Sequence, residues 1–157
     1  MTTILIVNDD LSVNICVVTE EYARTSSIEQ ILKKHTYLGQ KAFEVPKNFS
    51  IEHPTLTSYI CADPVALKKG ILKVSINKDQ LVLDAHDTRR RVRQDILSKL
   101  DMNMLIPNEA ETTEKKRQEI RELFAKHQED IDNASSVTDA AKILELLSKR
   151  NYPLEVL

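Results

Sequence analysis

Ile71-Leu72-Lys73-Val74-Ser75-Ile76-Asn77-Lys78-Asp79-Gln80-Leu81-Val82-Leu83-Asp84-Ala85 is the stretch whose reading decides the fold. Residues 71–76 and 81–85 alternate apolar and polar side chains, the period of a strand with one face on a core. Asn77-Lys78-Asp79-Gln80 supplies turn-tolerant residues between them, so the stretch predicts a β-hairpin. Asp87-Thr88 then offers an N-cap for a helix over Arg89–Leu100, with Val92, Ile96, Leu97 and Leu100 on one stripe. The N-terminal side of the stretch reads as strands and small connections, and the C-terminal side reads as helix.

Towards the N-terminus, Ile4-Leu5-Ile6-Val7 is continuously apolar and mostly β-branched, as suits a strand buried on both faces. Ser12–Val17 alternates, with Val13, Ile15 and Val17 on one side, and Asn8-Asp9-Asp10 predicts a hairpin turn between the two strands. Ser26 or Ser27 opens a helix: Glu29 completes a capping box with Ser26, and Ile28, Ile31 and Leu32 form its buried stripe. Residues 36–58 predict short edge strands through Tyr37, Phe43, Val45, Phe49 and Ile51, interrupted by Pro46 and Pro54. Asp63-Pro64 followed by Gly70 marks a short helix with its N-cap, a proline at the first position and a glycine beyond its end.

Towards the C-terminus, Thr112 or Thr113 caps a long helix reaching Asp132, with Ile120, Leu123, Phe124, His127 and Ile131 on its narrow stripe. Ser136 caps a last helix whose Val137, Ala140, Ala141, Leu144 and Leu147 face one way, while Ile143 and Leu146 widen the apolar face. Residues 1–86 carry 9 Lys and Arg and 10 Asp and Glu, whereas the shorter 87–157 carries 13 and 14. Dense, balanced charge at helical spacing belongs to exposed helices. The expectation is therefore an α+β fold: an antiparallel sheet of two β-hairpins plus edge strands with one or two short helices over 1–86, then a three-helix region over 87–157, in one continuous domain.

At 157 residues and a net charge of −2, the chain is long enough for a core without metals or disulfides and has no global field to attract nucleic acid or an anionic membrane. No apolar run approaches a membrane span, and no signal peptide is legible at the N-terminus. Cys16 and Cys61 sit far apart without a Cys-x-x-Cys, which reads as free thiols in a reducing cytoplasm, bacterial or host, with a bridge between them as the alternative. Two glycines, Gly39 and Gly70, are too few for a phosphate-cradling or dinucleotide-binding loop, so no cofactor is expected. His35, His53, His86 and His127 share no ligand spacing with one another or with the cysteines, so no metal is expected either.

Three local patterns carry possible chemistry. Ile4-Leu5-Ile6-Val7-Asn8-Asp9-Asp10 resembles the first strand and acidic pair of response-regulator receiver domains, which implies a metal at the acidic pair and a phosphate-accepting aspartate at Asp63. The six residues between Asp63 and Gly70 are too few for the crossover helix of a parallel sheet, so turn chemistry is the expectation for the acidic pair. His53-Pro54-Thr55 and His86-Asp87-Thr88 are similar to the paired motifs of two-histidine phosphoesterases. That resemblance implies histidines as acid and base and Thr55 and Thr88 as ligands of the phosphodiester oxygens. Arg89, Arg90, Arg91 and Arg93 form the only basic cluster; it would grip phosphates in a nucleic-acid-binding module, or else form a solvated face paired with neighbouring acids.

The leading expectation is a non-catalytic interaction or assembly protein acting through its helical half, as a homo-oligomer or docked on a protein partner. A viral accessory or virion component fits that description. The expected contact residues are Leu123, Phe124, Ile131, Ile143, Leu146 and Leu147, with a nucleic-acid-binding module and a phosphodiesterase as alternatives.

Overall fold

A computed structural model describes residues 2–37 and 39–149. The chain divides into two compact units, Met1–Asn77 and Lys78–Leu157.

The first unit is α+β. Strand β1 (Thr2–Val7) pairs antiparallel with β2 (Val13–Val18) through a tight turn. In that turn the Asn8 N–H donates to the Ser12 carbonyl and the Asp10 carboxylate accepts from the Ser12 N–H and hydroxyl. Two short helices come next, α1 (Glu20–Thr25), capped by Thr19, and α2 (Ile28–Tyr37). Strand β3 (Lys41–Glu44) then returns to the free side of β1, giving the order β2-β1-β3.

The central position of β1 explains its unbroken apolar run. Leu5 and Val7 face one cluster with Val13, Ile60 and Ala62, while Ile4 faces the other with Val18 and Ile31. Because the sheet is covered on both sides, β2 does not follow the simple alternation expected for it: Val18 is buried and Val17 is 52% exposed. The helix after Ser26-Ser27 forms as expected with its box one residue later. The Ser27 N–H donates to the Gln30 side chain and the Gln30 N–H donates back to the Ser27 hydroxyl.

A 3-10 helix (Pro54–Tyr59) leads into β4 (Ile60–Ala62). Asp63 caps α3 (Pro64–Lys68), accepting from the Val65 and Ala66 N–H groups at 2.8 and 3.2 Å, and Gly70 beyond its end takes a left-handed φ of 75°. Strand β5 (Val74–Ile76) lies antiparallel to β4 in a separate two-stranded sheet.

The second predicted hairpin does not form. Its first strand survives as β5, which takes β4 as partner, and residues 81–85 are the opening turns of helix α4 (Lys78–Asn103). Leu81 and Ala85 are compatible with both periods, but the buried positions of α4 continue as Leu81, Ala85, Arg89, Ile96 and Leu100, a helical stripe that a strand ending at 85 cannot join. Asn77 suits a helix N-cap as well as a turn, and Asp79 lies in the positive first turn of the helix. Asp87 and Thr88 therefore lie inside the helix and cap nothing.

Helix α5 (Ala110–Asp132) and helix α6 (Val137–Ser148) complete the second unit. The long helix begins ahead of Thr112, and Thr113 is buried inside it instead of capping it. Its stripe is as expected: Ile120, Phe124, His127 and Ile131 are all buried. Helices α4 and α5 form an antiparallel hairpin, for His86 Nε2 meets Asp132 at 3.0 Å at one end and Arg117 meets Asp101 at 3.2 Å at the other. Ser136 caps α6 as expected, accepting from the Asp139 N–H while its hydroxyl donates to the Asp139 carboxylate. Those hydroxyl bonds, from Ser136 and then Ser135, hold the Asp139 carboxyl below the usual carboxylate range.

Candidate functional site

The end of α4 and its connection to α5 read Met102-Asn103-Met104-Leu105-Ile106-Pro107-Asn108-Glu109. Backbone bonds within the segment shape its turn: the Leu105 N–H donates to the Met102 carbonyl and the Ile106 N–H to the Asn103 carbonyl. Asn108 takes a left-handed φ of 70°, which asparagine tolerates better than most residues. With the main chain bonded to itself, the apolar side chains are left outside. Met102, Leu105 and Ile106 are 72%, 86% and 44% exposed, while Met104 is half-buried. Scattered exposed leucines are ordinary, but three large apolar side chains within five positions at a helix-hairpin apex form a patch.

This apex is absent from the expected contact set. Its signal was present in the sequence, since a connection between charge-dense helices ordinarily carries polar turn residues and this one carries Met, Leu, Ile and Pro in a row. Of the six residues expected at an interface, Phe124, Ile131 and Leu147 are core residues of the second unit. Leu123 and Ile143 are half-buried, and Leu146 alone is well exposed, at 47%. The wide apolar face of α6 is thus largely used in packing, with Ala140, Ala141, Leu144 and Leu147 buried and Ile143 half-buried.

The arginine cluster is divided between the buried and the exposed sides of α4. Arg89 is 6% exposed and donates from Nη1 to the Phe124 carbonyl, while its Nε has no partner among the described residues. Burial, then the neighbouring Arg90 and Arg93, pulls its pKa down. Arg90 pairs with Asp87 at 2.7 Å, Arg91 is exposed and Arg93 is half-buried. Arg89, Arg90 and Arg93 fall within about 100° of one another around the helix, but Arg89 is buried against Phe124 and Arg90 is paired with Asp87, so the four do not make one exposed phosphate-binding face.

The paired histidine motifs fall in different units, and each histidine has a local partner. His53 stands at the N-cap of the 3-10 helix, where its Nδ1 accepts from the Thr55 N–H at 3.3 Å. His86 engages Asp132, and Thr88 is half-buried within α4. Asp10 is held by Ser12, whose side-chain and then backbone hydrogen bonds lower its pKa, which is the chemistry of a turn. Both cysteines are free and half-buried. Among the described residues, no group of three or more His, Cys, Asp or Glu side chains is placed to hold a metal ion, and no helix is long and apolar enough to cross a membrane.

No protein-family model matches the chain, and neither a curated protein nor a solved structure matches it at a significant level.

Proposed function

We propose that this is a non-catalytic interaction protein whose α4–α5 hairpin presents the apex Met102–Pro107 to a protein partner. The observation that carries the reading is the exposure of Met102, in the last turn of α4, with Leu105 and Ile106 on the connection that follows it. An apex is convex and small. It offers too little area for the roughly 800 Å² per partner of a stable flat interface, so its complement is a concave apolar pocket into which a few side chains insert as anchors. That geometry favours docking on a different protein over pairing of two like apices. Methionine suits such a role because its unbranched, polarisable side chain adapts to the pocket that receives it.

The test compares the wild-type chain with Leu105→Asp and with Met102→Ser combined with Ile106→Ser. All three fold with the same helical circular dichroism, since the substituted side chains are exposed. Blue-native electrophoresis of extract from the producing cell shows the wild type in a complex larger than one chain and both variants at the mass of the free chain. A wild type that migrates as the free chain, or variants that remain in the complex, would refute the reading.

A further inference from the structure

The first unit carries a different kind of open surface, and the inference drawn from it does not rest on the apex. Among the described residues strand β5 has one partner strand, β4, and none pairs with its other edge. The hydrogen bonds flanking the pair fix which groups face which way. The Asp63 N–H donates to the Lys73 carbonyl and the Asn77 N–H to the Tyr59 carbonyl, and Cys61 is opposite Ser75 in the same register. Residues 73, 75 and 77 therefore turn their main-chain groups towards β4. Val74 and Ile76 turn theirs outward, and among the described residues none bonds to the main chain of either.

Beside this edge runs a groove of about 380 Å³. The loop through Pro46, Phe49 and Ile51 forms one wall and Leu72, Val74 and Ile76 form the other. Lys73 is the one charged residue on its lining, is exposed, and has no ion-pair partner among the described residues. An open row of N–H and C=O groups next to an apolar trough fits an added strand, whose main chain pairs with the edge while alternate side chains fill the trough.

We propose that β5 and its groove bind an extended peptide segment of another protein by strand addition, with apolar side chains at alternate positions and an acidic residue opposite Lys73. Two outward-facing residues provide few hydrogen bonds, so the trough supplies much of the affinity and the lysine sets the register. A second copy of this chain is a poorer occupant, because edge-to-edge pairing brings two unpartnered Lys73 ammonium groups onto one short ribbon.

The probe is a short capped peptide alternating valine and threonine with a central aspartate, titrated into the full isotope-labelled chain. Saturable binding that shifts the amide signals of Val74 and Ile76 and of the 46–51 loop supports the proposal. The same peptide methylated on the amides that face the edge fails to bind. Lys73→Glu weakens the aspartate peptide by about five- to tenfold and improves binding of its lysine counterpart. The Leu105→Asp variant binds the probe like wild type, so the groove and the apex fail or succeed separately. Three results would overturn strand addition: no saturable binding, binding indifferent to amide methylation, or sedimentation showing that the chain pairs with itself through this edge.

Discussion

The two units bury different things. Among the described residues of Met1–Asn77 the buried ones are aliphatic apart from Tyr59, and a six-residue central strand has a core on each face. In Lys78–Leu157 the buried set includes Arg89, Thr113 and His127 beside Phe124, Ile131 and Leu147. A sheet strand sorts its side chains strictly by face, so one continuous β-branched run fills two cores and leaves no inward polar position. Long helices paired along a narrow stripe have boundary positions on either side of it, where a long or amphipathic side chain can bury its stem and reach a main-chain acceptor. Buried charge therefore acts in the helical unit, while in the sheet unit the exposed Asp10 carboxyl, lowered by its Ser12 hydrogen bonds, contributes stability that is lost only as pH falls into the carboxylate range.

The largest effect probes packing, where the units should respond alike. Phe124→Ala removes a fully buried ring and costs the helical unit about 3–5 kcal/mol, and Leu5→Ala costs the sheet unit about 2–5 kcal/mol. Hydrogen exchange resolved by residue reads each loss in its own unit. Arg89 comes next and sharpens the contrast. Arg89→Ala removes both stem and charge and costs about 1–3 kcal/mol. Arg89→Met keeps the stem and removes a desolvated cation, so denaturant melts place it within about 1 kcal/mol of wild type. Equal losses for the two would show that the guanidinium, and not the stem, holds the helices.

In the sheet unit, Asp63→Ala removes the cap of α3 and costs about 1 kcal/mol, with faster exchange of the Val65 and Ala66 amides as the readout. The smallest effect is in pH. Burial lowers the pKa of His127 from its ordinary 6.5, so above that value both folded and unfolded chains hold it neutral and stability is full. As pH falls below 6.5, the unfolded chain takes up the proton first and the helical unit weakens, until the lowered folded pKa is passed and the loss stops growing. His127→Leu flattens that part of the stability profile; an unchanged slope assigns it to other groups.

The architecture was legible wherever one residue pattern admitted one period. The unbroken Ile4–Val7 run, the Asp63-Pro64 cap with Gly70, and the Ser136 cap each matched a single structure and formed it. Residues 77–85 carried two patterns at once, because Leu81 and Ala85 satisfy spacing by two and by four and asparagine serves turns and caps equally. The choice lay with Arg89, Ile96 and Leu100, whose burial extends the helical stripe. Arginine at a buried position breaks the apolar pattern that sequence reading relies on, so the stripe looked as though it began after it. The apex was legible in composition but lay in a connection, where apolar residues have no period to reveal them. The β5 groove was hidden for another reason: its walls come from segments more than twenty positions apart in the chain.

Entry of the hairpin apex into a pocket on another protein is the proposal with the most direct test. The direct measurement places a photo-cross-linking residue at Leu105 and, for comparison, at exposed Arg91, in the intact chain made in its own cell. One discrete adduct is expected from position 105, formed with a protein that binds the purified wild-type chain and not Leu105→Asp, and no such adduct from position 91. The same adducts from both positions, or none from 105, would contradict it.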